Sequence, residues 1–336
     1  MGGVRKVAVW TRTGRASSRH GPREQDERRG ATVVTMKTLT QCPLCGSSAL
    51  SRLPFEYWYQ FERYPGSKCG ACGLAFLSVQ PDRDTLNEMY DADYFESDFR
   101  CGSEPAAGLG GAESERVFAR EAKAALELIR RLTGRTNGRI LEIGCAGGWF
   151  LKAAREEGWD ARGVELSKDA ADFAREKLGL DVSRGELAEA GFPPASFDVV
   201  YMADVLEHVA DPVGFVREVR RILAGGGHAV VCGPTALNAL SRRLGLAAYS
   251  LAKKTRSIAL APYHLFEYTP RTMRLLFEKG GFEVVTLESR KIRPSLRALG
   301  LEDVVTFELE LVNWPATALF GAWGDRAILC ARAVET

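Results

Sequence analysis

Four cysteines in two closely spaced pairs have the strongest chemical pattern in this chain of 336 residues. They form two Cys-x-x-Cys-Gly motifs, Cys42 with Cys45 and Cys69 with Cys72, and 23 residues separate the pairs. Two residues between thiolates allow one tight turn to aim both sulfurs at a single ion, and the following glycine lets the backbone fold under it. Four thiolates complete a tetrahedral site, so we expect a structural zinc ion with no coordination position left for water.

Disulfide bonds and a redox-active Cys-x-x-Cys pair are the other uses of such cysteines. The first 35 residues lack the continuous apolar core of a secretory signal, and four further cysteines follow no pattern, which disfavours a secreted disulfide framework. A redox motif needs one pair, whereas this chain has two. The spacing therefore favours zinc.

A second group of residues is typical of a site for a ribose-containing ligand. Residues 140 to 151 read Ile-Leu-Glu-Ile-Gly-Cys-Ala-Gly-Gly-Trp-Phe-Leu, which predicts an apolar strand, a glycine-rich turn and the start of a helix. The glycines allow close backbone approach to a ligand, and a helix N-terminus favours a carboxylate. Glu165, 23 residues after Glu142, comes at the end of the next predicted strand, where a carboxylate can accept hydrogen bonds from both ribose hydroxyls.

With the segments that follow it, this pattern resembles a class I S-adenosylmethionine-dependent methyltransferase over residues 113 to 333. The family's first motif is matched at Glu142, Gly144 and Gly148. Ala146 replaces its middle glycine and restricts backbone approach there, while the neighbouring Gly147 compensates.

Later segments extend the resemblance in the family's order. Glu165 matches the acid that binds ribose, and Glu186 stands where the family usually has the aspartate that reads adenine. Residues 197 to 212 resemble the fourth strand and its exit, beside the methionine part of the cofactor, and residues 223 to 231 resemble the turn into the fifth strand. A dinucleotide dehydrogenase is disfavoured because pyrophosphate binding uses the phasing Gly-x-Gly-x-x-Gly.

The resemblance implies an α/β fold with a Rossmann-like, mostly parallel sheet covered by helices on both faces, preceded by a small zinc ribbon. Hydrophobic periodicity agrees, because five short apolar strands alternate with amphipathic helices beyond residue 138. We expect a disordered leader over 1–35, the ribbon over 36–80, and a linker with a helical segment over 81–134. The methyltransferase domain is expected over 135–336, with a cap insertion at 235–262.

Charge is distributed unevenly along the chain, although the formal net charge is only +2. Residues 1 to 35 carry +5, which leaves −3 on residues 36 to 336. This balance disfavours stable nucleic-acid binding, and the Asn-Pro-Pro-aromatic signature of base-nitrogen methylation is absent from the sequence. An RNA methyltransferase that uses the ribbon to contact RNA and a non-catalytic cofactor-binding protein are the alternative interpretations.

His264 is the candidate catalytic base. It lies in Tyr-His-Leu-Phe-Glu-Tyr-Thr-Pro, residues 263 to 270, just before a predicted helix with Thr269 as its N-cap. The resembling zinc-ribbon methyltransferases have a similar segment over the carboxyl edge of the sheet, where imidazole can deprotonate a hydroxyl or an acidic carbon. A role in holding the loop by hydrogen bonds is the alternative, and His208 is expected to orient the cofactor loop.

The cap favours an anionic acceptor. No acidic residue occurs between Glu218 and Glu267, whereas seven basic residues do, and leucines recur there at helical spacing. We therefore expect a small-molecule acceptor such as a phosphorylated or nucleotide-linked sugar, with peripheral membrane contact as the alternative. The sequence predicts no transmembrane helix and a cytoplasmic enzyme that uses S-adenosylmethionine and structural Zn²⁺; it leaves the oligomeric state open.

Overall fold

The computed structural model describes residues 4–9, 32–59, 62–82, 85–86, 112–258, 264–290, 317 and 323–334. Its strands are β1 (Val4–Val9), β2 (Thr32–Thr38), β3 (Leu50–Tyr59), β4 (Glu62–Cys69), β5 (Ala75–Leu77), β6 (Val79–Pro81), β7 (Gly138–Ile143), β8 (Trp159–Glu165), β9 (Asp181–Arg184), β10 (Phe197–Ala203), β11 (Leu223–Pro234), β12 (Arg256–Ile258), β13 (Phe266–Glu267), β14 (Phe282–Arg290) and β15 (Arg326–Ala333). Its α-helices are α1 (Ala112–Thr133), α2 (Trp149–Glu156), α3 (Lys168–Leu178), α4 (Pro212–Ile222), α5 (Leu240–Leu251) and α6 (Pro270–Lys279).

A seven-stranded sheet organises the carboxyl-terminal two thirds of the chain. Its strand order is β14-β15-β11-β10-β7-β8-β9, and β15 runs antiparallel to both of its neighbours while the other strand pairs are parallel. The order reverses between β7 and β10, and in such sheets ligands bind outside the carboxyl ends of the strands at that point. This sheet confirms the expected Rossmann-like α/β class.

Local sequence explains where the helices begin. The side chain of Ser167 accepts a hydrogen bond at the start of α3, and that of Asp211 does so at the start of α4, where Pro212 is the first residue. Thr269 caps α6 as expected, in a reciprocal capping box with Thr272. These caps fix the strand-to-helix turns that border the carboxyl edge of the sheet.

A second sheet contains the cysteine motifs and reaches into the methyltransferase part of the chain. Its order is β12-β3-β4-β5-β13, so both edges of the three central strands are covered by short strands from residues 256–267. Ser257 is opposite Glu56 across one edge, and Phe266 is opposite Phe76 across the other. Because an unpaired edge offers free backbone donors and acceptors, these pairings anchor the ribbon to the larger domain.

Side chains strengthen this anchoring. Glu56, 2% exposed, accepts hydrogen bonds from Arg52, Arg63 and Ser257 at 2.6 to 3.0 Å, and Ser257 belongs to β12. On the other side, Lys279 Nζ at the end of α6 donates to the carbonyl of Leu44 at 2.6 Å. A single cluster of buried apolar side chains also runs from the cysteine turns through Phe76 and Phe266 into the central sheet.

Parts of the amino-terminal segment form strands. β1 pairs antiparallel with β2, which pairs with β6 of the ribbon. These strands include residues 4–9 and 32–35, for which the sequence predicts a disordered leader. The division of the chain into domains stays a prediction, and residues 10–31 of the leader and 87–111 of the linker lie outside the described residues.

Candidate functional site

The four motif cysteines converge on one point, with all their sulfur atoms within 4.8 Å of one another. Sγ of Cys42 lies 3.5 Å from that of Cys72, and Sγ of Cys45 lies 3.5 Å from that of Cys69. A zinc ion with bonds of about 2.3 Å to four thiolates separates the sulfurs by roughly 3.8 Å, so the cluster fits zinc closely.

The thiols differ in acidity before any metal binds. Burial raises the pKa of Cys42 and of Cys72. Burial acts in the same direction on Cys69, but hydrogen bonds from the backbone N–H groups of Cys72 and Ala71 outweigh it and lower the pKa of Cys69 to about 6. Cys69 therefore supplies a thiolate near neutral pH, which is the form that ligates metals.

The turn between β7 and α2 has the conformation that its glycines allow. Gly144 and Gly148 have φ angles of +71° and +82°, and Ala146 between them has φ +45°. A Cβ atom on Gly144 would come within 2.6 Å of Val205 Cγ2, and one on Gly148 within 2.5 Å of Leu180 Cδ1. Both glycines are thus required by conformation and by space, while Ala146 adopts a strained left-handed conformation.

Glu165 ties the end of β8 to this turn. One carboxylate oxygen accepts a hydrogen bond from the N–H of Ala146 at 2.8 Å, and the other accepts from the N–H of Ser167 at 2.7 Å. Burial raises the pKa of Glu165 despite these bonds. Each carboxylate oxygen can accept more than one hydrogen bond, so the group can still receive hydroxyls from a ligand.

Glu142 lies at the end of β7 beside Glu165. Its side chain is 8% exposed, and its Oε2 has no hydrogen-bond partner among the described residues. Burial, and then the charge of Glu165, raise the pKa of Glu142 well above its ordinary value. A buried and a half-buried carboxyl group at the ends of two neighbouring strands favour a ligand with positive charge or hydrogen-bond donors, and S-adenosylmethionine has both.

Glu186 is an exposed residue after β9 and caps the short 3-10 helix Leu187–Ala190. Its backbone N–H donates to the side chain of Glu189 at 2.9 Å, which completes a capping box. The preceding Gly185 has a φ angle of +123°. This arrangement fixes the turn at the third strand end, and the contact of Glu186 with adenine stays a prediction.

His264 meets residues from the end of β10. Its ring lies edge-on to that of His208, with centroids 4.9 Å apart, and the ligand atoms of Glu207, His208 and His264 all lie within 4.8 Å of one another. The backbone of Leu265 connects this cluster to the ribbon: its N–H donates to the carbonyl of Glu207, and its carbonyl accepts from the N–H of Leu77, both at 2.9 Å.

Burial changes the acidity of the groups in this cluster. It lowers the pKa of His264, raises that of Glu207 to about 8, and raises that of Glu267 to about 7. Glu267 Oε1 lies 3.9 Å from Nδ1 of His264. A neutral imidazole between two carboxyl groups that hold protons near pH 7 can accept and pass on a proton.

Sequence reasoning did not find the acidic partners of this cluster. The sequence suggests Glu207 only as a partner of the neighbouring His208 and gives Glu267 no role. It gives no signal for Arg326, which donates to both carboxylate oxygens of Asp204 at 2.6 and 2.8 Å. Asp204 has φ +53° at the exit of β10. The long distance along the chain between Glu207 and His264, and between Asp204 and Arg326, hides these contacts from sequence reasoning.

The same segment is matched by a known family. The methyltransferase domain family matches residues 116–287, half of the chain. The chain belongs to this family. The matched range contains Glu142, Glu165, the glycine turn and the histidine cluster, and it begins after the cysteine motifs.

Curated relatives share this part of the chain. A ubiquinone biosynthesis O-methyltransferase from Ralstonia nicotianae is 35% identical over 96 residues, which are 27% of this chain and 40% of the relative. A protein of Mycolicibacterium smegmatis named "Probable S-adenosylmethionine-dependent methyltransferase" is 31% identical over 157 residues, 46% of this chain and 56% of the relative. The chain thus spans about half of the length of these curated relatives.

Solved structures with similar folds include a S-adenosylmethionine-dependent methyltransferase from Archaeoglobus fulgidus. It has a TM-score of 0.46 and 20% identity, and covers 64% of this chain and 94% of its own. One from Mesorhizobium loti has a TM-score of 0.43 and 22% identity, and covers 61% and 96%. In the part of the chain that the structure describes, no helix has the length and apolar character needed to cross a membrane.

Proposed function

We propose that this protein transfers a methyl group from S-adenosylmethionine to an oxygen or carbon atom of a small metabolite. The observation that carries the proposal is the pair of carboxyl groups, the buried Glu142 and the half-buried Glu165, beside a turn in which Gly144 and Gly148 have no room for a side chain. The names of the curated relatives favour oxygen as the acceptor atom.

Binding is assigned to the residues at three strand ends. When bound, S-adenosylmethionine supplies a sulfonium methyl group for in-line displacement. We propose that Glu165 accepts hydrogen bonds from the ribose hydroxyls, that Glu142 accepts from the amino group, and that Glu186 borders the adenine. The N-terminus of α2, which begins directly after Gly148, is proposed to face the carboxylate of the ligand.

His264 is proposed to remove the proton of the acceptor. Burial favours the neutral ring, which is the form that accepts a proton, and His208 and Glu267 are near enough to restrain its orientation. His208 is 17% exposed by side chain, compared with 39% for His264, so His264 is the more accessible of the two rings.

The cysteine cluster is proposed to hold one structural zinc ion. Its four thiols provide all the ligands that a tetrahedral site requires, and the surrounding apolar side chains continue into the central core. Zinc content measured by mass spectrometry should be one ion per chain and should fall in a Cys69→Ser variant.

Calorimetric titration with S-adenosylmethionine tests the cofactor assignment. Glu165→Ala should weaken binding by at least a hundredfold and leave the zinc content unchanged, because its carboxylate lies in the turn and remote from the thiols. Glu176→Ala, which removes an exposed carboxylate from α3, is the matched control and should bind as the unaltered protein does. Micromolar affinity in Glu165→Ala would contradict the assignment.

Release of S-adenosylhomocysteine distinguishes a catalytic protein from one that only binds the cofactor. Incubation with S-adenosylmethionine and fractionated metabolite extracts should release S-adenosylhomocysteine in at least one fraction, and His264→Asn should reduce that release. A protein that binds the cofactor without releasing S-adenosylhomocysteine in any fraction would favour the non-catalytic alternative.

A further inference from the structure

A groove lies between the ribbon sheet, the cap helix α5 and the start of α6. It consists of two adjoining cavities of about 330 Å³ and 460 Å³. Lys68, Gly73, Arg243 and Thr269 line both of them, so the cavities are two parts of one groove. None of these residues belongs to the glycine turn, and the groove is large enough for a small metabolite.

Three cations face this groove from three different elements. Lys68 is on β4, Arg243 on α5 and Arg271 in the first turn of α6. In the described parts of the chain, none of the three forms an ion pair or donates a hydrogen bond to an acidic side chain. Converging positive charges that are not engaged in ion pairs attract an anion, and two guanidinium groups suit phosphate because each can donate two parallel hydrogen bonds.

The smaller cavity adds an apolar wall. Leu53 and Pro54 of β3 line it on the ribbon side, and Leu237, Leu246 and Ala247 line it on the cap side. A ligand that fills the whole groove therefore combines an anionic group with an apolar part.

The groove leads towards the proposed base. Glu267 lines the smaller cavity, and its Oε1 lies 3.9 Å from Nδ1 of His264. The same carboxyl group holds a proton near pH 7 because burial raises its pKa to about 7, which reduces its repulsion of an anion. The groove and the histidine cluster thus share a wall.

We propose that this groove is the acceptor site, in which Lys68, Arg243 and Arg271 bind the phosphoryl group of a phosphorylated methyl acceptor. The apolar part of the acceptor lies against the wall formed by β3 and α5, and its reacting atom points to His264. This inference rests on the proposed function and adds the substrate class to it.

The structure changes which basic residues are expected to matter. Seven bases occur in the acid-free stretch of the sequence, and Arg243 is the member of that set that lines the two cavities. Lys68 and Arg271 come from outside the stretch. Arg242 lies near Glu267 and Tyr57 instead, where burial raises the pKa of both groups and the charge of Arg242 offsets part of that rise.

Phenyl phosphate is a suitable probe because it has one phosphoryl group and one apolar ring. Its affinity should be measured by calorimetry, beside inorganic phosphate and phenol, with the full chain and its zinc. Phenyl phosphate should bind more tightly than either fragment. Arg243→Gln and Arg271→Gln should each weaken it by about tenfold, in the range of one charge-assisted hydrogen bond, and leave phenol unchanged.

Arg217→Gln is the matched control, because it removes an exposed guanidinium from α4 that does not line the groove. It should leave phenyl phosphate binding within twofold of the unaltered protein. Equal losses in Arg217→Gln and Arg243→Gln, or no loss in either groove variant, would overturn the inference.

A phospholipid headgroup is a second source of the same chemistry. Sedimentation with phosphatidylglycerol vesicles distinguishes the two: vesicle binding that is lost in Arg243→Gln and Arg271→Gln supports a lipid phosphoryl group in the groove. Vesicle binding that both variants retain, together with no binding of phenyl phosphate, contradicts the proposal. Titrations of the unaltered protein and the same variants with S-adenosylmethionine test the proposed function separately. If the unaltered protein does not bind the cofactor, the proposed function fails, but the phenyl phosphate titration still tests the groove.

Discussion

Individual residues at the carboxyl edge of the sheet are maintained at a cost to stability. Glu142 has a buried oxygen without a hydrogen-bond partner among the described residues, and it lies beside a second carboxyl group, the half-buried Glu165. Burial of an unpaired carboxyl group is unfavourable unless a ligand compensates it. This loss of stability is expected at a site that binds a cationic ligand, because the same carboxyl group that destabilises the free protein contributes to ligand binding.

Replacing Glu142 by Gln should make the protein more stable and a weaker binder. Folding raises the pKa of Glu142, so the native state keeps a proton that the unfolded chain loses above about pH 4.5, and the free energy of unfolding falls as pH rises from there. Urea unfolding of Glu142→Gln should show a gain of about 1–3 kcal/mol at pH 7.5 and none at pH 4.5.

The affinity of Glu142→Gln for S-adenosylmethionine should fall by at least tenfold in calorimetry. Glu176→Gln, the exposed control on α3, should alter neither quantity. A Glu142→Gln protein that is less stable at pH 7.5, or that binds the cofactor as tightly, would count against this role for the carboxyl group.

His264 determines the expected pH dependence of catalysis. Burial lowers its pKa below 6.5, and the base works when neutral, so the rate should rise with pH to a plateau with a midpoint below 6.5. His264→Asn should lower kcat by about a hundredfold or more and remove this acidic limb, while cofactor affinity stays within twofold.

His228→Asn is the matched control. His228 is also a partly buried histidine with a pKa lowered by burial, but it lies within β11 and outside the cluster. His228→Asn should have the kcat of the unaltered protein and the same acidic limb in its pH profile. An acidic limb that persists in His264→Asn would contradict the role of His264 as the base. Loss of activity on chelation while zinc stays bound at the cysteines would instead indicate that Glu207, His208 and His264 hold a metal ion.

Two short strands, β12 and β13, connect the ribbon to the methyltransferase part of the chain. β12 and β13 have three and two residues, yet each completes an edge of the ribbon sheet, and Leu265 between them bonds to Leu77 and to Glu207. The loop that contains His264 is thus hydrogen-bonded to the ribbon on one side and to the exit of β10 on the other. The ribbon helps to position the proposed base.

Removal of zinc should therefore affect more than the ribbon. Hydrogen exchange at Phe266 and Glu267 should increase on chelation, because β13 pairs with β5 and β5 follows the second cysteine motif. The parallel strand β9, at the far edge of the other sheet, should keep its protection and serves as the internal control. Unchanged exchange in β13 after complete loss of zinc would show that the metal does not support the loop.

At the scale of the whole molecule, one cluster of buried side chains joins residues of the ribbon to residues of the methyltransferase part of the chain. Buried side chains from Cys42 and Phe76 continue through Phe266 and Met273 to the central strands. A groove with a shared lining from ribbon, cap and α6 follows from this packing. The net charge says little about ligands because the relevant cations are local and come from three separate segments.

Sequence alone determined the features that depend on short spacing. The cysteine motifs, the glycine turn after Glu142, the caps of α6 and the alternation of strands and helices are properties of neighbouring residues, since tight turns, caps and amphipathic periods act over only a few positions. They were enough to predict the zinc site, the fold class and Glu165 at the second strand end.

Tertiary structure alone decided which distant residues share a site. Lys68 lies 175 positions from Arg243 in the sequence, and Glu207 lies 57 from His264, so no local pattern relates them. The pairing of β12 and β13 with the ribbon brings them together, because backbone hydrogen bonds and apolar burial fix segments at positions that chain distance does not predict.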